Sequence, residues 1–164
     1  MLNKDTKGIT LIALVITIVI IIIITGVSLN IGGQLFSNVN LKTLDTNMLL
    51  IQAKVKVISE KNNFDENTPL KGSKVADITN DEDINKLKNE GVIDESDANY
   101  QSYYLWNQDI LNEEGLDSIK LKDNEKYIVN YETEEIIYFP GYKHTDDKTY
   151  YKLSDLTIIQ EEME

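Results

Sequence analysis

From Ile9 to Leu29 the chain carries no charged residue, and this run is entered directly through Lys7-Gly8. As a helix rising about 1.5 Å per residue it is about 30 Å long, the thickness of a bilayer's hydrocarbon core. Its polar content is limited to Thr10, Thr17, Thr25, Ser28 and Gly26. Threonine and serine hydroxyls can return to the carbonyl one turn back, so they cost little in lipid. Lys4, Lys7 and the amino terminus flank the run on one side, and the first lysine beyond it is Lys42. The positive-inside bias therefore predicts a cytoplasmic N-terminus, with everything after about residue 30 outside the cell. A cleaved secretory signal fits less well, because the run exceeds a usual h-region and no small-x-small site follows it cleanly.

The remainder is enough for one modest domain. With no cysteine in the chain, disulfides, thiolate metal sites and cysteine nucleophiles are excluded. All 16 basic residues are lysine, so bidentate arginine clamps are absent too. The net charge of −12 repels nucleic acid and anionic headgroups, and no nucleic-acid binding is expected.

Lys7-Gly8-Ile9-Thr10-Leu11-Ile12-Ala13-Leu14-Val15-Ile16 resembles the N-terminal signature of type IV prepilins and type II secretion pseudopilins, in the variant of Gram-positive bacteria. In that family a short basic leader ends in glycine. A membrane aspartyl protease cuts after it and methylates the new N-terminus. The apolar segment is first a membrane anchor and later the packed core of a filament. The resemblance implies that Gly8 ends the leader and Ile9 becomes the first, N-methylated residue. Thr10 and Leu11 match the threonine and leucine usual after the cut. Glycine before the cut suits an extended or left-handed fit in a protease cleft, and Lys4 and Lys7 hold the leader at the anionic cytoplasmic surface.

Two positions depart from the pattern. The family usually has glutamate at the fifth mature position, where this chain has Ala13; that carboxylate is thought to neutralise a neighbour's terminal amine, and an unpaired buried ammonium is expensive. Ala13 therefore leaves open a tip or minor subunit, pairing supplied by another subunit, or an anchored protein that does not polymerise. The helix-kinking proline is replaced by Asn30, with Gly26, Gly32 and Gly33 able to supply local flexibility.

Beyond Gly33 a helix is expected to resume. Leu41, Leu44, Met48, Ile51, Val55 and Ile58 recur at spacings of three and four, which places them on one stripe, and the helix should end near Ser59. Residues 62–73 read as a loop containing Pro69 and Gly72. Thr79-x-x-Glu82 has the capping-box pattern for a short helix stopped by Gly91. A second short helix over residues 108–114 would be capped by Asn107 and stopped by Gly115. Residues 127–131 and 136–139 are rich in β-branched and aromatic side chains and predict a hairpin, with a turn at Pro140-Gly141 and a further strand over 150–153. The stretch Tyr127 to Thr133 is also loosely similar to endings of Gram-positive prepilin-like proteins.

The expected fold is α+β and pilin-like: a long N-terminal helix, half transmembrane and half amphipathic, packed on a small antiparallel sheet. The boundaries are a leader over 1–8, a transmembrane half over 9–30, an amphipathic half over 31–60, a globular head over 61–160 and an acidic tail over 161–164.

No catalytic set is visible, and an enzyme is not expected. His144 is the only histidine and sits beside a polar turn. Metalloprotease, phosphate-loop and nucleophile-elbow motifs are absent. Asp146-Asp147 and Asn80-Asp81-Glu82-Asp83 offer hard oxygens that calcium prefers, but neither has EF-hand spacing, so no cofactor is assigned and calcium stays a weak candidate. The nine tyrosines and Trp106 fit a half-buried sheet without a ligand. The resemblance implies a structural subunit of a type IV pilus or secretion pseudopilus. Its partners would be the membrane, the prepilin peptidase, other pilin or pseudopilin subunits and the assembly platform. The alternative is a single-pass, membrane-anchored extracellular binding module.

Overall fold

A computed structural model describes residues 40–163 together with Leu14 and Thr17. The contacts divide the chain into two units, Met1–Asn40 and Leu41–Glu164. In the first, Leu14 and Thr17 are helical, and the Thr17 hydroxyl donates to the Leu14 carbonyl at 2.9 Å, as expected for threonine in an apolar helix.

The second unit is α+β. Helix α1 covers residues 40–64. There follow β1 (Ser73–Lys74), α2 (Glu82–Asn89), β2 (Tyr103–Trp106), α3 (Gln108–Glu113), β3 (Lys126–Asn130), β4 (Ile136–Lys143), β5 (Thr149–Lys152) and α4 (Leu153–Met163). The five strands form one sheet in the order β1-β2-β3-β4-β5, each antiparallel to its neighbours.

Strand alternation divides the core between the two faces of the sheet. On one face Trp106, Tyr127, Val129 and Ile136 share a cluster with Met48, Ile51 and Val55 of α1 and with Leu153 and Leu156 of α4. On the other, Tyr103, Ile128, Ile137 and Phe139 pack with Ile84 and Leu87 of α2. The six-residue stripe of α1 faces inward: five of its members are buried and Leu44 is half-buried.

Several elements differ from the expectation. Helix α1 ends at residue 64 instead of near Ser59, because nothing in residues 60–64 breaks it. It closes through a bond from the Asp65 amide to the Lys61 carbonyl. Strands β1 and β2 and helix α4 are not among the expected elements. The last of these spans Leu153, read as the end of a strand, and continues through Met163 over most of the acidic end. Pro140-Gly141 does not end the strand. Between the pairs Ile137↔Lys152 and Tyr142↔Tyr150 the register shifts, so β4 bulges there and proline's missing amide is tolerated. Gly141 has φ +89°, and a Cβ there would stand 2.6 Å from Thr149 Cγ2, so only glycine fits.

The α2 cap is Asp81, not Thr79. Its Oδ1 accepts from the amides of Asp83 (2.9 Å) and Ile84 (3.1 Å). Lys126 of β3 reaches Asp81 Oδ2 at 2.9 Å and Asp83 Oδ2 at 2.8 Å, which ties the helix to the sheet. Burial opposes the Asp81 charge. The Lys126 hydrogen bond, the two amides and the lysine's charge outweigh it, and the carboxyl titrates below its ordinary 3.8. Burial opposes the Lys126 charge as well, and the two aspartates overcome it, raising its pKa above 10.5. Asp81 therefore contributes stability that is present above pH 3.8 and is lost as pH falls through its lower folded value. The Lys126 contribution is complete below pH 10.5 and is lost as pH rises through its higher folded value. Asp81→Ala should lower unfolding stability by about 1–2 kcal/mol at neutral pH, and the deficit should shrink towards about pH 3; urea melts at the two pH values check this.

Candidate functional site

Helix α1 is apolar on two sides. Opposite the buried stripe, Leu49, Leu50, Val57 and Phe64 are exposed, Phe64 at 94% of its surface. Leu50, Val57 and Phe64 are seven residues apart, and Ala53 lies between the first two on the same side. A helix apolar on both faces is ordinarily buried on both. The inner face has the sheet, and the outer face has nothing against it within the described chain.

The flanks of the outer stripe are built from the head. Lys54 reaches Glu114 beyond α3 at 3.6 Å, and Lys56 reaches Glu134 in the β3–β4 turn at 3.8 Å. Gln52 Nε2 donates to the Glu134 carbonyl at 2.9 Å, and the Ser59 hydroxyl donates to the Tyr131 carbonyl at 2.9 Å. These contacts fix the rotation of α1 about its axis, so Leu50, Ala53 and Val57 present a set surface. At the C-terminal end Val57, Glu60, Lys61, Phe64, Asp65 and Thr68 line an open groove of about 490 Å³.

The stripe is electrostatically unlike the rest of the head. Residues 40–64 carry four lysines and two acids, while residues 65–164 carry ten lysines and 25 acids. One of the two acids in α1, Asp45, is buried; the other, Glu60, is exposed beside Val57, so the outer face carries lysines in excess over a single acid.

The residues singled out in the N-terminal segment lie elsewhere. Lys4, Lys7, Gly8, Ile9, Thr10, Leu11 and Ala13 fall outside the described residues. Among the described residues no helix is long and apolar enough to cross a membrane, and of the 9–29 run only Leu14 and Thr17 belong to them. The outer stripe of α1 was legible as the seven-residue recurrence of Leu50, Val57 and Phe64, a signal hidden by the stronger inner pattern.

The sites considered for other chemistry are occupied by protein contacts. Asp81 and Asp83 hold Lys126, Asp146 accepts from the Tyr150 hydroxyl at 2.9 Å, and Asp147 pairs with Lys143 at 3.2 Å. Among the described residues no group of three or more acidic or histidine side chains is placed to hold a metal. His144 is half-buried between the rings of Tyr142 and Tyr150, each 6.2 Å away, and its Nε2 lies 3.2 Å from the Thr145 hydroxyl. No family model, curated protein or solved structure matches the chain.

Proposed function

We propose that this chain is a structural subunit of a type IV pilus or type II secretion-like pseudopilus, in a minor or tip position given Ala13. A single observation carries the reading: Lys7-Gly8-Ile9-Thr10-Leu11 opens directly into a charge-free run of membrane-spanning length. The second apolar face of α1 supports it, since an assembling subunit needs surface that only neighbours cover. In this reading the apolar run and residues 40–64 belong to one long N-terminal helix. The N-terminus lies in the cytoplasm and the head outside the cell. Prepilin peptidase cuts after Gly8 and methylates Ile9, other pilin or pseudopilin subunits receive the anchor, and assembly platform proteins extract it. Once the leader is gone, an apolar helix can leave lipid only by packing against similar helices, and stiff Val and Ile side chains lose little entropy in doing so.

Co-expression with a prepilin peptidase tests the reading. The chain should shorten by its eight leader residues and carry N-methylated Ile9 on intact-mass and fragment spectra. Gly8→Val should block the cut. A chain that keeps its full leader beside an active peptidase is instead the single-pass anchored binding module that does not polymerise.

A further inference from the structure

We infer that the outer face of α1 docks on the outer face of α4 in a second copy of this chain. The inference rests on the proposed role as an assembling subunit and names which surfaces meet.

In the unit Leu41–Glu164, exposed large apolar side chains occur at two places among the described residues. Leu49, Leu50, Val57 and Phe64 lie on α1, and Ile158, 56% exposed, lies on α4. The two places differ in shape. Leu50, Ala53, Lys54 and Val57 stand at positions i, i+3, i+4 and i+7, the four corners of a hole that accepts a side chain from a facing helix. The small Ala53 deepens it. Ile158 is a single branched side chain projecting from α4, with Ser154 and Thr157 exposed beside it. One surface is a hole and the other a knob.

Their charges are complementary at the rim. The outer face of α1 around the hole bears Lys42, Lys54 and Lys56 against one exposed acid, Glu60, three residues beyond Val57. Helix α4 has no basic residue; Asp155 lies three residues before Ile158 and Glu161 and Glu162 follow it. Asp155, one turn from Ile158, is within reach of Lys54 at the rim of the hole. That lysine is 35% exposed and only 3.6 Å from Glu114, so it can be shared without breaking its internal pair. Packing α1 on α1 would set lysines against lysines, which opposes a symmetric pairing. The favoured contact is head-to-tail, the hole of one copy receiving the knob of another.

The absence of cysteine makes the test clean. Full-length chains carrying Ala53→Cys or Ile158→Cys, with different tags, are mixed in detergent micelles and oxidised mildly. The mixed disulfide should dominate over both symmetric products; a dominant Ala53→Cys homodimer, or no mixed product, overturns the inference. Both positions are exposed and their replacement leaves the fold intact, which melting curves verify. Independently, Lys54→Glu alone and Asp155→Lys alone should each weaken association about tenfold by sedimentation, and the double variant should recover it. Losses that persist in the double variant overturn the inference. Processing after Gly8 is read in the same cells. Cleavage and methylation without the mixed disulfide sink this contact and leave the pilin-like reading standing; the mixed disulfide without cleavage does the reverse.

Discussion

Trp106→Ala should destabilise the head by about 3–5 kcal/mol, a large share of the stability of a domain this size. Trp106 is fully buried on the α1 face of the sheet, where its ring joins the core that β3 and α1 share. Its indole nitrogen also donates to the Lys71 carbonyl at 3.0 Å. The same carbonyl accepts from the Tyr131 hydroxyl at 2.9 Å, and that hydroxyl accepts from the Lys71 amide at 3.0 Å. The loop after α1 is thus pinned to the sheet by two aromatic side chains that share the Lys71 carbonyl. Alanine removes the largest side chain of the core and one of those two donors. Trp106→Phe separates the two effects: the carbonyl keeps its tyrosine donor, so the lost hydrogen bond should cost only about 1 kcal/mol beyond the smaller ring's cavity. Thermal melts of both variants by circular dichroism check the ranking, with Trp106→Ala lowered by on the order of 15 °C.

The parts of this fold legible in the sequence are those whose signal is local. The three- and four-residue spacing of Leu41 to Ile58 identified the buried face of α1, because a helix facing one core must repeat at its own period. Asn107 and Gly115 bounded α3 correctly, since a side-chain cap and a glycine stop act within one turn. The β3–β4 hairpin was visible in its β-branched and aromatic runs, and Asn130 closes it by accepting from the Glu132 and Thr133 amides.

What was missed depends on partners distant in sequence. Strand β2 is four residues, Tyr-Tyr-Leu-Trp, with no polar alternation because both faces of the sheet are covered; its pairing with β3 defines it. Helix α4 was obscured by the preceding strand, which it follows without a break. Asp81 displaced Thr79 as the cap of α2 because Lys126, 45 residues away, holds its carboxylate in place. The outer stripe of α1 was lost for a different reason. Its Leu50 and Val57 sit in the same sequence window as a stronger inner pattern, and two overlapping periodicities read as one.

Two neighbouring residues on α1 should respond oppositely to the same change. Ile51→Asp places a carboxylate where the side chain is fully buried in the apolar core, and should cost more than about 4 kcal/mol and unfold much of the population. Leu50→Asp, one residue earlier, falls on the outer face, where 45% of the side chain is exposed. Lys54 stands four residues on, the favourable order for an acid and a base along a helix, so its stability should change by less than about 0.5 kcal/mol. Val57→Asp stands in the same relation to Lys61. The double variant Leu50→Asp/Val57→Asp should therefore keep a wild-type melting curve and lose concentration-dependent association. Urea melts and sedimentation of the full chain in detergent micelles separate the two effects. If the double variant associates as wild type does, the outer stripe is only surface, and α1 serves the head alone. If it folds normally and stays monomeric, one helix carries two interfaces, and its inner one is already filled by its own sheet.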